Sequence, residues 1–197
     1  MLQFIARIND KYSVAELARM AIEGECRWVE LDLPGCSEDF IRATALELKE
    51  LCVETGTFLT VVDCPEAARE AGLHGVQLRG AKAAEAAKVR EELGAEAIIG
   101  IEVASAADIL RVQNLDIDYA TLTPGLTPAQ IEKIVADVRE GGSQLPIVAS
   151  GEYTPDEAIE AIVAGASGIA VSDAIADAED PVEATRVLVE TLRAAKS

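Results

Sequence analysis

Apolar positions alternate with polar ones in eight short runs rich in β-branched residues, and each run is followed by a stretch in which apolar residues return every three or four positions. The runs predict strands at 2–8, 28–33, 58–63, 75–79, 97–103, 119–124, 146–151 and 168–173. The longer-period stretches predict helices at 13–24, 37–55, 65–71, 83–93, 106–114, 128–140, 155–164 and 181–195. Such regular alternation produces parallel strands joined by crossover helices. Helix starts are marked by Ser13 with Glu16 and Thr154 with Glu157, which read as capping boxes, and by Pro128, Pro155 and Pro181 near first helical positions. Gly24, Gly56, Gly72, Gly94, Gly141 and Gly165 stand where helices should stop, predicting left-handed terminators. Eight units within 197 residues leave short loops. The expectation is a single α/β domain over 1–197, a closed (β/α)8 TIM barrel, with an open doubly wound sheet as the alternative.

Strand parity then sorts the side chains. Val29, Leu31 and Leu33 must face the helices, which turns Glu30 and Asp32 inward. The same rule places Gln3, Arg7, Asp63, Gln77, Arg79, Glu102, Thr121, Thr123 and Asp173 on the inner side. Most lie toward the C-terminal ends of their strands, where barrels of this kind carry their chemistry. The carboxylates of Glu30, Asp32, Asp63, Glu102 and Asp173 thus face the guanidinium groups of Arg7 and Arg79 in a shielded space. Some of those acids must be protonated, paired or bound to a cation. Two readings stay open: a polar network that satisfies itself, and a site for a cation, a basic ligand or acid–base chemistry. Magnesium and manganese suit carboxylate-rich sites.

Composition narrows the partners. Half the residues are apolar, enough for a substantial core, and the glycines and prolines are dispersed rather than gathered into a linker. A formal charge of -18 argues against nucleic acid or an anionic membrane surface as partner. No apolar run approaches the roughly 20 residues of a membrane span, and the N-terminus lacks a signal-peptide plan, so a cytoplasmic protein is expected. Cys26, Cys36, Cys52 and Cys64 form no CxxC pair, and His74 is the one histidine. The cysteines read as reduced packing residues rather than zinc ligands, and Trp28 and His74 as structural. A homo-oligomer is left open.

The order of segments, with Asp118-Tyr119, Thr123-Pro124, Pro146-Ile147-Val148-Ala149 and the run Ile169-Ala170-Val171-Ser172-Asp173-Ala174-Ile175, resembles the thiamine phosphate synthase and TenI family over nearly the whole chain. Gly75-Val76-Gln77-Leu78 and Ile98-Ile99-Gly100-Ile101 look like that family's fourth and fifth strands. The resemblance implies the barrel fold and a transferase of thiamine biosynthesis, joining a pyrimidine pyrophosphate to a thiazole phosphate with magnesium (Mg2+). It also implies that Asp63 matches a metal-ligand aspartate.

Other positions depart from the family pattern. A Gln-Leu-Arg-Glu-Lys type segment is Glu30-Leu31-Asp32-Leu33-Pro34 here, and a Gly-Gln-Glu-Asp type segment is Arg79-Gly80-Ala81-Lys82. The fifth strand's Ser-x-His segment is Glu102-Val103-Ala104. The phosphate cup, normally a Gly-Gly pair and a serine, reads Ser150-Gly151-Glu152 and Ser172-Asp173. Carboxylates at such a cup repel an anion, by about 4 kcal/mol for unit charges about 4 Å apart at an intermediate dielectric.

The candidate site is a small-molecule pocket at the C-terminal barrel mouth. Asp63, Glu102 and Arg79 are its candidate catalytic residues, and Asp63 its candidate metal ligand. Arg7, Glu30, Asp32, Thr123, Ser150, Gly151, Ser172 and Asp173 are candidate substrate contacts. Three functions remain: a divergent synthase, a carboxylate-lined barrel for a metal or an unphosphorylated or cationic ligand, and a non-catalytic family member.

Overall fold

The computed structural model describes residues 1–195, so the last two residues of the predicted domain lie outside the described residues. Its strands are β1 (Leu2–Ala6), β2 (Trp28–Leu31), β3 (Phe58–Val62), β4 (Gly75–Leu78), β5 (Ile98–Val103), β6 (Tyr119–Leu122), β7 (Ile147–Ser150) and β8 (Gly168–Val171). All neighbouring pairs are parallel, and they run in chain order into a closed barrel. Closure is made by Leu2, Gln3 and Phe4 of β1 against Ile169, Ala170 and Val171 of β8, which rules out the open sheet.

The helices are α1 (Val14–Glu23), α2 (Glu38–Thr55), α3 (Pro65–Ala71), α4 (Ala86–Leu93), α5 (Ala106–Val112), α6 (Pro128–Glu140), α7 (Pro155–Val163), α8 (Asp173–Ala176) and α9 (Pro181–Ala194). A 3-10 turn over Gly80–Glu85 replaces the start of the helix expected at 83–93, and α8 was not expected at all.

Both predicted capping boxes form, and Thr127 with Gln130 makes a third. Two of the predicted glycine terminators, Gly56 and Gly72, adopt the left-handed conformation as helix caps. After α1 the positive φ falls instead on Glu25, at 71°. Gly24 is required there for another reason: a Cβ on it would lie 2.5 Å from both Thr185 Cβ and the Val182 carbonyl oxygen of α9. Removing the side chain lets two helices approach, so the glycine serves packing rather than backbone freedom.

Alternation along each strand separates two apolar regions. Val29, Leu31, Leu59, Val61, Ile99, Ile101 and Leu122 face the helices and are fully or almost fully buried. Burying each such side chain contributes about 1.5–3 kcal/mol. Inside the barrel, Ile5, Trp28, Tyr119, Val148 and Ala170 form a separate plug. Trp28 meets Tyr119 edge-on with ring centres 5.3 Å apart, and its indole N–H donates to Thr60 Oγ1 at 3.1 Å. His74 Nδ1 accepts the Leu59 amide at 3.0 Å and its ring packs edge-on against Phe58, the structural role expected for it.

Strand ends are where expectation and structure part. Asp32, Asp63, Arg79, Thr123, Gly151 and Ser172 all lie just beyond the last ladder residue, because the backbone leaves the sheet where the polar mouth begins. Arg7 follows β1 and its side chain is about half exposed, although its guanidinium still turns back to Asp32. Asp173 is not an inward strand residue: it opens α8 and is exposed to solvent.

Candidate functional site

Four candidate residues from four consecutive loci form one ion network. Arg79 Nη2 donates to Asp32 Oδ1 at 2.6 Å and Arg79 Nη1 donates to Asp63 Oδ2 at 2.9 Å. Arg7 Nε donates to the other Asp32 oxygen at 2.9 Å. The main-chain amide of Arg79 donates to Asp63 Oδ1 at 2.9 Å, so Arg79 uses both oxygens of that carboxylate. Lys82, on the 3-10 turn, adds a second cation at the Asp63 carbonyl oxygen, 3.3 Å away. Burial works against the Arg79 charge, but its hydrogen bonds and ion pairs with Asp63 and Asp32 outweigh burial and hold its pKa above the usual arginine value. Asp63 itself has φ 55°, a left-handed conformation that aspartate tolerates better than most residues. Its carboxylate meets Arg79, the residue that follows β4.

This arrangement answers whether Asp63 suits magnesium. A hard divalent ion needs free oxygen ligands and little competing positive charge. Both Asp63 carboxylate oxygens accept from Arg79, and Lys82 sits on its carbonyl. The residues around Asp63 do not fit a magnesium ion in this arrangement.

Below the network lies Glu30, 5% exposed, with Oε2 lacking a hydrogen-bond partner. Burial, then the neighbouring Asp32 and Glu102 carboxylates, push its pKa up to about 8, against the weaker pull of Arg7 and Arg79. Glu102 is half-buried, and it stands in register beside Thr121 of β6. Gln77 Oε1 and Thr121 Oγ1 are likewise buried without partners. Gly100 makes room for this layer: a Cβ there would lie 2.1 Å from Gln77 Oε1 and 2.3 Å from Tyr119 Cζ. Burial, reinforced by Glu30, raises the Tyr119 phenol well above its ordinary pKa.

At the β7 and β8 ends, the donors expected to receive an anion are already engaged. Ser172 N approaches Glu152 Oε1 and Oε2 at 3.3 and 3.4 Å, and Ala174 N donates to Glu152 Oε2 at 2.6 Å. Ser172 Oγ donates to the Ile5 carbonyl at 2.8 Å, and the Gly151 amide donates to the Ala170 carbonyl at 3.0 Å. Tyr153 lies over Gly151, its ring 3.1–3.3 Å from where a Cβ would stand, and its hydroxyl donates to the Ser150 carbonyl at 3.3 Å. Glu152 was visible in the sequence only as a charge opposed to phosphate. Its position on the amides of Ser172 and Ala174 follows from the turn into α8, which periodicity does not register.

Two cavities open at the mouth. One, of about 400 Å3, is bordered by Glu102, Thr123, Gly80 and Arg111. The other, of about 300 Å3, is bordered by Asp32, Asp63, Arg79, Cys36, Cys64 and Glu38. The structure therefore brings Arg7, Asp32, Asp63 and Arg79 together, sets Glu30 and Glu102 beside them, and places Thr123 on the far cavity. Ser172 holds Glu152 through its amide, Ser150 and Gly151 lie just before Glu152 in the chain, and Asp173 is exposed at the start of α8. Cys64 lies in a group with Glu38 and Glu66 whose ligand atoms are within 4.8 Å of one another, an arrangement that strand parity did not suggest.

A family profile described as thiamine monophosphate synthase matches residues 2–175. Among curated proteins, the chain is 34% identical to a thiamine-phosphate synthase of Bacteroides fragilis, over 94% of this chain and 96% of that one. It is 32% identical to the thiamine-phosphate synthase of Bacteroides thetaiotaomicron, over 99% of each. Among solved structures, a thiamine phosphate pyrophosphorylase from Pyrococcus furiosus superposes with a TM-score of 0.86 at 24% identity, covering 100% of this chain and 96% of that one, a likeness of fold. No helix among the described residues is long and apolar enough to cross a membrane.

Proposed function

Because this chain belongs to the thiamine monophosphate synthase family, we propose that it uses the family barrel to bind a small unphosphorylated molecule at the C-terminal mouth, in place of coupling two phosphorylated substrates. The observation that carries this reading is the Glu152 carboxylate, held by the amides of Ser172 and Ala174. An anion at those amides must first displace a carboxylate that is already tethered to the chain. Arg79 supports the same reading from the other side of the mouth, since its guanidinium supplies positive charge at Asp63. The favoured ligand is a hydrogen-bond donor or a cation, because Glu30 keeps a buried carboxyl oxygen without a partner.

The test is a coupling assay on the purified protein with magnesium, the pyrimidine pyrophosphate and the thiazole phosphate. No thiamine phosphate is expected, and neither substrate is expected to raise the melting temperature. Turnover that follows saturation kinetics overturns the reading. A second reading, a working synthase, is supported by the 34% identity to a curated thiamine-phosphate synthase. It requires Glu152 and Arg79 to leave their present partners when substrate arrives.

A further inference from the structure

The N-terminal end of the barrel, opposite the mouth, carries an apolar depression. Trp28 and Phe58 open β2 and β3 and Met1 precedes β1, so all three stand where strands begin. Two cavities share these residues as walls. One, of about 260 Å3, is completed by Val189 and Leu192 of α9, and the other, of about 400 Å3, by Tyr119 and Val148. The rings of Trp28 and Phe58 lie 5.5 Å apart, tilted by 52°. Phe58 is 43% exposed and Met1 40%, whereas Trp28 beside them is buried. Large apolar side chains gathered around a concavity, with few polar groups at its edge, form the kind of surface that takes the apolar body of a small ligand.

Charge distinguishes the two cavities. The smaller is rimmed by Arg27, Arg193 and Glu25. Arg193 Nη1 donates to Glu25 Oε2 at 2.7 Å, which engages that acid. Arg27 Nη1 donates at 3.0 Å to the carbonyls of Ile22 and Cys26, and among the described residues Arg27 has no carboxylate within ion-pair distance. The two carbonyls therefore position its guanidinium without neutralising it, in a chain whose formal charge is -18. The larger cavity has no basic side chain on its walls and carries Asp118, whose Oδ2 accepts from Arg90 and from the Ile99 amide. A planar guanidinium pairs with a carboxylate through two parallel hydrogen bonds, so the smaller cavity joins an apolar wall to a partner for an acid. We infer that it binds an arylalkyl carboxylate, with the ring against Trp28, Phe58 and Leu192 and the carboxylate on Arg27. The inference does not depend on what the mouth binds.

Trp28 is the one tryptophan of the chain, so its emission reports on this cavity. Titration of the full chain with 3-phenylpropionate, read by Trp28 emission and by isothermal calorimetry, is expected to saturate at one ligand per chain within the millimolar range. 3-Phenylpropylamine, which keeps the ring and reverses the charge, is expected to bind at least tenfold more weakly. Arg27→Gln is expected to weaken binding of the acid at least fivefold and Arg27→Lys by a smaller factor, while Phe58→Ala weakens it at least threefold. Arg7→Gln, at the opposite end of the barrel, is expected to leave affinity within twofold, and circular dichroism checks that each variant is folded. The proposal fails if the acid does not saturate at millimolar concentration, or if the amine binds as tightly as the acid. It also fails if folded Arg27→Gln or Phe58→Ala binds as the parent does, or if Arg7→Gln abolishes binding instead.

Discussion

Arg79 holds Asp63 through both its side chain and its own backbone: Nη1 reaches Oδ2 and the amide reaches Oδ1, each at 2.9 Å. A lysine cannot copy this and also bridge to Asp32, because it offers a point charge rather than a planar fork.

The first prediction follows from that geometry. Arg79→Ala leaves Asp32 and Asp63 with carboxylate oxygens that have lost their donors, and their side chains are 7% and 16% exposed. The expected destabilisation is about 1–3 kcal/mol, with partial exposure of Arg79 keeping it below the cost of breaking a fully buried pair. Urea unfolding measures it. Arg79→Lys is expected to recover less than half of the loss, and full recovery would show that charge alone suffices.

Glu30 makes stability depend on pH. Its folded pKa of about 8 lies above the ordinary carboxylate value, so the native state binds the proton more tightly than the unfolded chain does. Stability is then lost as pH rises from about 4.5 to about 8, and this contribution is flat on either side of that window. Glu30→Gln is expected to remove the slope. Unfolding free energies at pH 6, 7, 8 and 9 in chelator-treated protein test this, and an unchanged slope in the variant assigns it to another group.

Glu152 governs the β8 end. Glu152→Ala releases the amides of Ser172 and Ala174. Inorganic phosphate at 10–100 times its dissociation constant is then expected to stabilise the variant by about 1.4–2.7 kcal/mol, while leaving the parent unmoved. Thermal melts across a phosphate series decide it, with equal shifts in both proteins as the refuting outcome.

Gly100 tests the inner layer. Gly100→Ala places a methyl carbon 2.1 Å from Gln77 Oε1 and 2.3 Å from Tyr119 Cζ. A loss of about 1–3 kcal/mol is expected, as for other overpacked interiors. Gln77→Ala in the same chain relieves the first collision but not the second, so rescue should be partial. A double-mutant cycle reads the coupling.

The barrel was legible because each of its eight units repeats the same physical instruction. Val29, Leu31 and Leu33 fix which side of β2 meets the helices, and with it the inward direction of Glu30 and Asp32. Ser13 with Glu16 and Thr154 with Glu157 mark helix starts through local hydrogen bonds that depend on few other residues. Parity fails where the ladder ends. Asp173 shares its parity with Ile169 and Val171, which face the helices, and the chain has already turned into α8 there, so the inward expectation fails on both counts. Ser172 and Gly151 were recognisable as donors, while the acceptors that claim them, Glu152, Ile5 and Ala170, come from other segments. Pairing of Arg79 with Asp32 and Asp63, just past β2 and β3, has the same character: the residues are visible in sequence, and their partners are chosen by the side-by-side packing of the strand ends.

Closure of the barrel ties the first strand to the last. Ile169 N donates to the Met1 carbonyl at 3.0 Å, and Ser172 Oγ reaches the Ile5 carbonyl at 2.8 Å, joining positions separated by almost the whole chain. Until β8 docks, β1 and β7 each present an unpaired edge that is open to pairing with other chains. The last strand therefore acts as the seal that ends this exposure.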